Sequence, residues 1–264
     1  MELTLPNVVE FLAIVLVAGT AQGASGFGFG LVAAALMPLL MELRQATPLV
    51  ALLASGATLT VLWRLRRHCR PRRLGSIIVG CLAGVPIGVL GLVRLPQDLL
   101  LRVLGIVLLG VAVQGLRSPV AEQPTEGPET EGVSPEVPPG PPRGLGQQVV
   151  GFLVGVSSGA LGGAFNTGGP PLVAYVYRQP WSKEERTCAL QVLFSISLAA
   201  RIVMMSLTGL MTLDVVVRGA LGMPFVLVGV AAGQMLFHRL GHRQFGLVVV
   251  LLLAVMGTKL LVVP

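Results

Sequence analysis

Along the chain, apolar residues fall into eight blocks separated by short polar stretches. Stretches such as Gln45–Trp63, Leu74–Val93 and Gly219–Phe237 carry no charged residue at all. Each is long enough to cross a hydrocarbon core of about 30 Å, which takes roughly 20 apolar residues in a helix. Six blocks have the length of one span, at about 46–63, 75–93, 99–116, 188–207, 215–237 and 245–262. The other two, about 8–41 and 149–177, are long and interrupted. The first is broken by GASGFGFG (23–30) and the second by GALGGAFNTGGPP (159–171). A glycine weakens a helix interior by about 1 kcal/mol, and proline frees backbone groups, so neither stretch continues a helix unbroken. The pattern predicts an all-α polytopic membrane protein.

The two interrupted blocks head two copies of one arrangement. Gly19, Gly23 and Gly26 align with Gly155, Gly159 and Gly162 at a single offset. Further on, Thr47 aligns with Thr187, and Gly84, Gly88 and Leu95 with Gly229, Gly233 and Leu240, at slightly larger offsets. Between the copies lies SPVAEQPTEGPETEGVSPEVPPGPPRGLG (118–146), which holds eight of the 19 prolines and five of the 12 acidic residues. Such a composition buries too little apolar surface to fold and predicts a disordered cytoplasmic linker. The expected units are therefore an N-terminal transmembrane repeat (1–117), the linker (118–146) and a C-terminal repeat (147–264).

Charge sets the expected orientation. The chain has 53% hydrophobic and 12% charged residues and a formal charge of +7, against about 25% charged residues in a soluble domain. The cations cluster in short loops, RLRRHCRPRR (64–73), RQPWSKEER (178–186) and HRLGHR (238–243), as the positive-inside rule requires. That distribution argues against nucleic-acid binding as the source of the charge. Loops 64–73, 178–186 and 238–243 and the linker are expected in the cytoplasm, and 207–214 outside. If each interrupted block enters and leaves on one side, the halves have opposite orientations and form an inverted repeat. MELTLPNVVE lacks the positive start of a cleavable signal peptide. The expected location is the inner (plasma) membrane, multi-pass.

Interrupted segments at matching places in two repeats are the best sequence pointer to a transporter's binding site. The half-helix after each break directs backbone amides and a partial positive charge into it, which suits an anion. Ser25, Asn166 and Thr167 add neutral polar groups, and Phe27 and Phe29 would close the path or pack. Gln22, Gln191, Ser195 and Gln234 either line the path or bond neighbouring helices. For Gly19, Gly23, Gly155 and Gly159, small-xxx-small spacing makes close helix packing an equal reading. Arg201 lies deep in CALQVLFSISLAARIVMMSLTGL (188–210). A charge at such depth is costly and marks a functional candidate, the alternative being a side chain that snorkels outward.

The doubled pattern GASGFGFGLVAAALMPLL (23–40) and GALGGAFNTGGPPLVAY (159–175) resembles the sulfite exporter TauE/SafE family of membrane permeases. The likeness covers both halves and omits the linker. It implies transport of small sulfur-containing anions such as sulfite, sulfonates or sulfoacetate. Gly26, Gly28, Gly30, Asn166, Gly168, Gly169 and Pro170 carry over as motif positions. Asn166 departs from the GTGGPP form of the second motif, here NTGGPP. The candidate substrate-binding set is thus Gln22, Ser25, Gly26, Phe27, Gly28, Phe29, Gly30, Asn166, Thr167, Gly168, Gly169, Pro170 and Arg201.

Other chemistry is missing from the sequence. Outside the linker the carboxylates Glu2, Glu10, Glu42, Asp98, Glu184, Glu185 and Asp214 sit in loops or at block ends. His68, His238 and His242 lie in basic loops, and Cys69, Cys81 and Cys188 show no metal-ligand spacing. Cys69 falls in a loop expected in the cytoplasm, where disulfides are rare. The glycines do not form a nucleotide fingerprint, because no soluble strand–helix unit surrounds them. The expectation is a non-enzyme without metal or cofactor, whose partners are a small anion and the lipid bilayer. Self-association into a homo-oligomer is left open, as is a scaffold role beside a soluble partner or transport of another small anion.

Overall fold

The computed structural model describes residues 5–25, 28–65, 74–117, 145–179, 181, 183–237 and 242–262. Gly26, Phe27, residues 66–73 of the first basic loop, residues 118–144 of the expected linker and residues 238–241 lie outside the described residues. So do the expectations placed on them. All regular structure among the described residues is helical.

The first half contributes α1 (Leu5–Ser25), α2 (Phe29–Leu36), α3 (Leu43–Leu65), α4 (Gly75–Arg94) and α5 (Gln97–Arg117), with a 3-10 turn at Met37–Leu39 after α2. The second half contributes α6 (Leu145–Phe165), α7 (Gly169–Tyr177), α8 (Lys183–Leu207), α9 (Leu213–Phe237) and α10 (His242–Val262). Gly75–Arg94, Gln97–Leu116, Gly146–Phe165, Glu185–Leu207 and Leu213–Met235 are long and apolar enough to cross a membrane. Their outward faces carry large exposed apolar residues, such as Val79 and Ile87 on α4, Ile106 on α5 and Leu221 and Val228 on α9, and the shorter apolar stretch of α10 likewise exposes Leu251. Apolar surface of that extent is satisfied by lipid rather than water.

Both interrupted blocks resolve into unequal arms. α1 and α6 each have 21 residues, about 31 Å of helix at 1.5 Å per residue. α2 has 8 residues and α7 has 9, about 12–14 Å and too short to cross a core of about 30 Å. The second arm of each block is a half-helix.

The halves interlock crosswise. α1 packs mainly on α9 and α6 on α4, so the first helix of each half lies on the fourth helix of the other. α3 meets α8, α5 meets α10, and α3·α9 mirrors α8·α4. Swapping each element for its counterpart reproduces these pairings.

Glycine makes the crossed seams possible. A methyl added to Gly23 would strike the Val230 carbonyl, and one on Gly233 the Thr20 carbonyl. On the other seam, Gly80, Gly84 and Gly88 face the carbonyls of Phe152, Val156 and Ala160, while Gly155 and Gly159 face those of Ile77 and Cys81. Gly19 and Gly229 also touch backbone to backbone. Inside lipid, such close approach gains the dispersion contacts that hold helices together. The packing reading of Gly19, Gly23, Gly155 and Gly159 therefore describes where they sit. Cys81 is a buried free thiol and Cys188 is disulfide-bonded, a bond of which the scattered cysteine spacing gave no sign.

Candidate anion site

The two breaks meet. Gly30, at the start of α2, lies so close to Asn166 in the second break that a methyl on it would overlap the Asn166 carbonyl oxygen. Asn166 adopts a left-handed backbone with φ 58°, a conformation asparagine tolerates better than most residues. There the chain turns out of α6 before α7 begins at Gly169.

Each break is tied to the long arm before it. The Phe29 N–H donates to Gln22 Oε1 at 3.1 Å, satisfying one of the free amides at the start of α2. Ser158 Oγ donates to the Gly168 carbonyl at 2.6 Å. Gln22 and Ser158 stand at the same place in the two repeats, between the aligned pairs Gly19/Gly23 and Gly155/Gly159. At α7, Pro170 and Pro171 occupy the first turn, so two of its leading positions have no N–H to offer. The half-helix termini are therefore poorer in free amides than the sequence pattern alone suggests.

Arg201 reaches this junction from α8. It is only 8% exposed, which rules out an outward-snorkelling side chain. Its Nη1 donates to Asn166 Oδ1 at 3.0 Å and to the Gly162 carbonyl at 3.2 Å, and its Nε to the Ser197 carbonyl at 3.2 Å. Asn166 Nδ2 donates in turn to the Thr47 carbonyl on α3 at 2.7 Å, and Thr47 Oγ1 donates to the Ala164 carbonyl at 3.2 Å. The acceptors that hold the guanidinium are all neutral. No carboxylate among the described residues pairs with it, and Nη2 makes no hydrogen bond among them.

A cavity of about 50 Å³ opens beside this cluster. Of the candidate residues, Gln22, Phe29, Gly30, Asn166, Gly168, Gly169 and Arg201 line it. Gly28 caps α2 from outside the lining. Thr167 is fully buried with its hydroxyl toward the Leu161 carbonyl at 3.5 Å, and it and Pro170 are not in the wall. Gly26 and Phe27 lie outside the described residues, as does the Ser25 side chain. Ser195 turns to its own helix, donating to the Gln191 carbonyl at 2.7 Å.

The wall also contains Ala54, Thr58, Ser158, Leu172, Phe194, Ser197 and Leu198, which the sequence pattern did not single out. Ser197 had one available signal, since it lies four residues before Arg201 and so shares its helix face. Among the described residues the wall has no Asp, Glu or His, and no group of them has the makings of a metal site. A buried cation in a polar niche with apolar flanks suits holding a small anion. Among the described residues its wall holds no nucleophile–base pair.

Residues 11–260 match the family described as Sulfite exporter TauE/SafE. The chain belongs to that family. It is also 28% identical over 241 residues, 88% of its length and 85% of the relative's, to a protein of Cupriavidus necator described as probable sulfite/organosulfonate exporter TauE. No solved structure matches the chain. The family match spans both halves and both breaks, and every residue lining the cavity falls within it. Together with the apolar helices, membership in an exporter family makes this a multi-pass membrane protein of transport type.

Proposed function

We propose that the chain is an inner-membrane carrier of small sulfur-containing anions, sulfite or a sulfonate, held between the two breaks beside Arg201. One observation carries this reading: a buried guanidinium faces a cavity where, among the described residues, no carboxylate neutralises it. Leaving such a charge uncompensated in a protein interior is strongly unfavourable, and an entering anion supplies the missing partner. The Cupriavidus relative's description as a sulfite/organosulfonate exporter supports the substrate class. The crossed pairing of helices supports an inverted arrangement of the halves, with the site near the pseudo-two-fold axis.

Among the described residues the cavity wall has no titratable carboxylate or histidine, which fits movement driven by the membrane potential. An inside-negative potential drives a monovalent anion outward with about 2.3 kcal/mol per 100 mV. The test is tracer flux by the purified full-length chain in liposomes, comparing sulfite, sulfate, sulfoacetate, taurine and a neutral sugar under an imposed potential. Flux of a sulfur anion without any second protein, slowed when the potential is collapsed, is the expected result. Flux that follows only a pH gradient would replace the potential-driven mechanism with proton coupling. No anion flux would remove the carrier reading.

A further inference from the structure

Hydroxyl groups in membrane helices usually donate to the carbonyl three or four residues back on their own helix. Thr20, Ser55, Ser157, Ser195, Ser206, Thr208 and Thr258 all do so here. Thr58 on α3 and Ser197 on α8 do not. Both are buried, 6% and 3% exposed, both line the cavity, and neither hydroxyl makes a hydrogen bond among the described residues. Neither oxygen is sealed off from the cavity without a partner, as the Tyr175 hydroxyl is within its own surroundings. A buried hydroxyl that forgoes its local acceptor leaves hydrogen-bonding capacity unused, and that capacity is what a ligand recovers.

The third unused donor is Arg201 Nη2. Three residues that each keep an unused donor therefore line one cavity, two from α8 in the second half and one from α3 in the first. We propose that Thr58 and Ser197 are specificity-determining ligands which, with Arg201, select a singly charged oxyanion, such as a monosulfonate or hydrogen sulfite, over dianions and halides. This deepens the carrier reading and rests on it.

Two physical arguments set the selection. One buried cation balances one negative charge, while a dianion such as sulfate or sulfoacetate leaves a net charge desolvated in the niche. A halide is a single acceptor centre, whereas a head with three oxygens presents separate acceptors to separate donors. Phe194, Leu172 and Ala54 in the same wall leave the rest of the ligand against apolar surface, which admits a short alkyl tail. Because its ligands come from both halves, a bound oxyanion also bridges α3 to α8.

The experiment uses the full-length chain in detergent, with methanesulfonate, sulfate and chloride as calorimetric probes, and separately measures methanesulfonate flux in liposomes. Methanesulfonate is expected to bind at least about tenfold more tightly than sulfate or chloride. Thr58→Val and Ser197→Ala should each weaken it by about tenfold, the loss of one hydrogen bond to a charged group. Thr58→Ser should restore affinity, and Ser195→Ala, whose hydroxyl is used locally, should change nothing. Equal affinity for sulfate, no binding of methanesulfonate, or unchanged affinity in both variants would overturn the assignment. Expected binding and variant order without any flux would instead sink the carrier reading and leave the oxyanion site standing.

Discussion

Arg201 and Asn166 are joined by a hydrogen bond of 3.0 Å, and the amide at the other end of Asn166 reaches the Thr47 carbonyl at 2.7 Å. The side-chain orientation of Asn166 is dictated by its neighbours, since arginine only donates and a carbonyl only accepts. One asparagine thus links the cation of α8 to the backbone of α3 across the two halves. Any anion that engages Arg201 does so beside the residue that pins the halves together.

Removing the cation tests the site directly. Arg201→Gln is expected to cut methanesulfonate or sulfite flux by tenfold or more, about 1.4 kcal/mol or above in binding. Arg201→Lys should fall between, because it keeps the charge and loses the planar fork. Fluorescence-detected size exclusion reports folding of the same samples. Unchanged flux and affinity with Arg201→Gln would show that the guanidinium serves structure alone.

Supplying an internal counter-charge should have the opposite logic. Asn166→Asp places a carboxylate within reach of Arg201 with nearly the same shape. The new ion pair satisfies the cation that an anion would otherwise neutralise, so flux is expected to fall by at least about tenfold, while loss of the amide donor to the Thr47 carbonyl lowers the melting temperature by less than in Asn166→Ala. Asn166→Ala should act differently. It keeps no bond to Arg201 or Thr47 and puts alanine in a left-handed conformation costing about 1–2 kcal/mol, so its signature is a lower melting temperature. Wild-type flux in Asn166→Asp would contradict a binding role for Arg201.

The glycine seams give a packing prediction. Gly84→Val and Gly23→Val would drive side chains into the Val156 and Val230 carbonyls, and each is expected to abolish the monodisperse folded species in detergent. Among the described residues, nothing lies within 4 Å of a methyl added at Gly110, and only Leu95 Cδ1, at 3.8 Å, of one at Gly91. Alanine at either is expected to be neutral or to stabilise by up to about 1 kcal/mol through helix propensity. Thermal melts of the four variants separate the two classes.

Sidedness follows from the basic loops. Single cysteines in residues 64–73, the linker and 238–243 should resist membrane-impermeant labelling from outside intact cells, whereas one near Thr212 should react. Labelling of residue 130 from outside would overturn the inverted arrangement.

Much of the helix order was legible because apolar block lengths and glycine–proline breaks are local signals. The breaks near Gly28 and Gly168 fall where the motif glycines sit, and Pro170-Pro171 starts a half-helix rather than extending α6. What the pattern could not supply was partnership. Gly19 and Gly229 touch although they are far apart in sequence, and small-residue spacing marks a packing face without naming the helix that covers it. Thr58 and Ser197 were silent for a related reason. A lone hydroxyl in an apolar helix ordinarily bonds its own backbone, as Ser195 does, and only the three-dimensional neighbourhood reveals the exception. Arg201 stood out in the sequence because a deep charge is expensive anywhere in a membrane. Its engagement with Asn166 and Gly162 needed the fold.

The crosswise seams also order the events of biogenesis. α4 leaves the ribosome before α6, yet α6 is the helix that covers its glycine face. α1 likewise waits for α9, nearly the whole chain later. The first half therefore enters the bilayer with its close-packing surfaces unclaimed, and lipid or insertion machinery occupies them until translation delivers the partners. Residues 1–117 made alone should be inserted but readily degraded, and co-expression with 147–264 should rescue both, making the mature site a product of the completed chain.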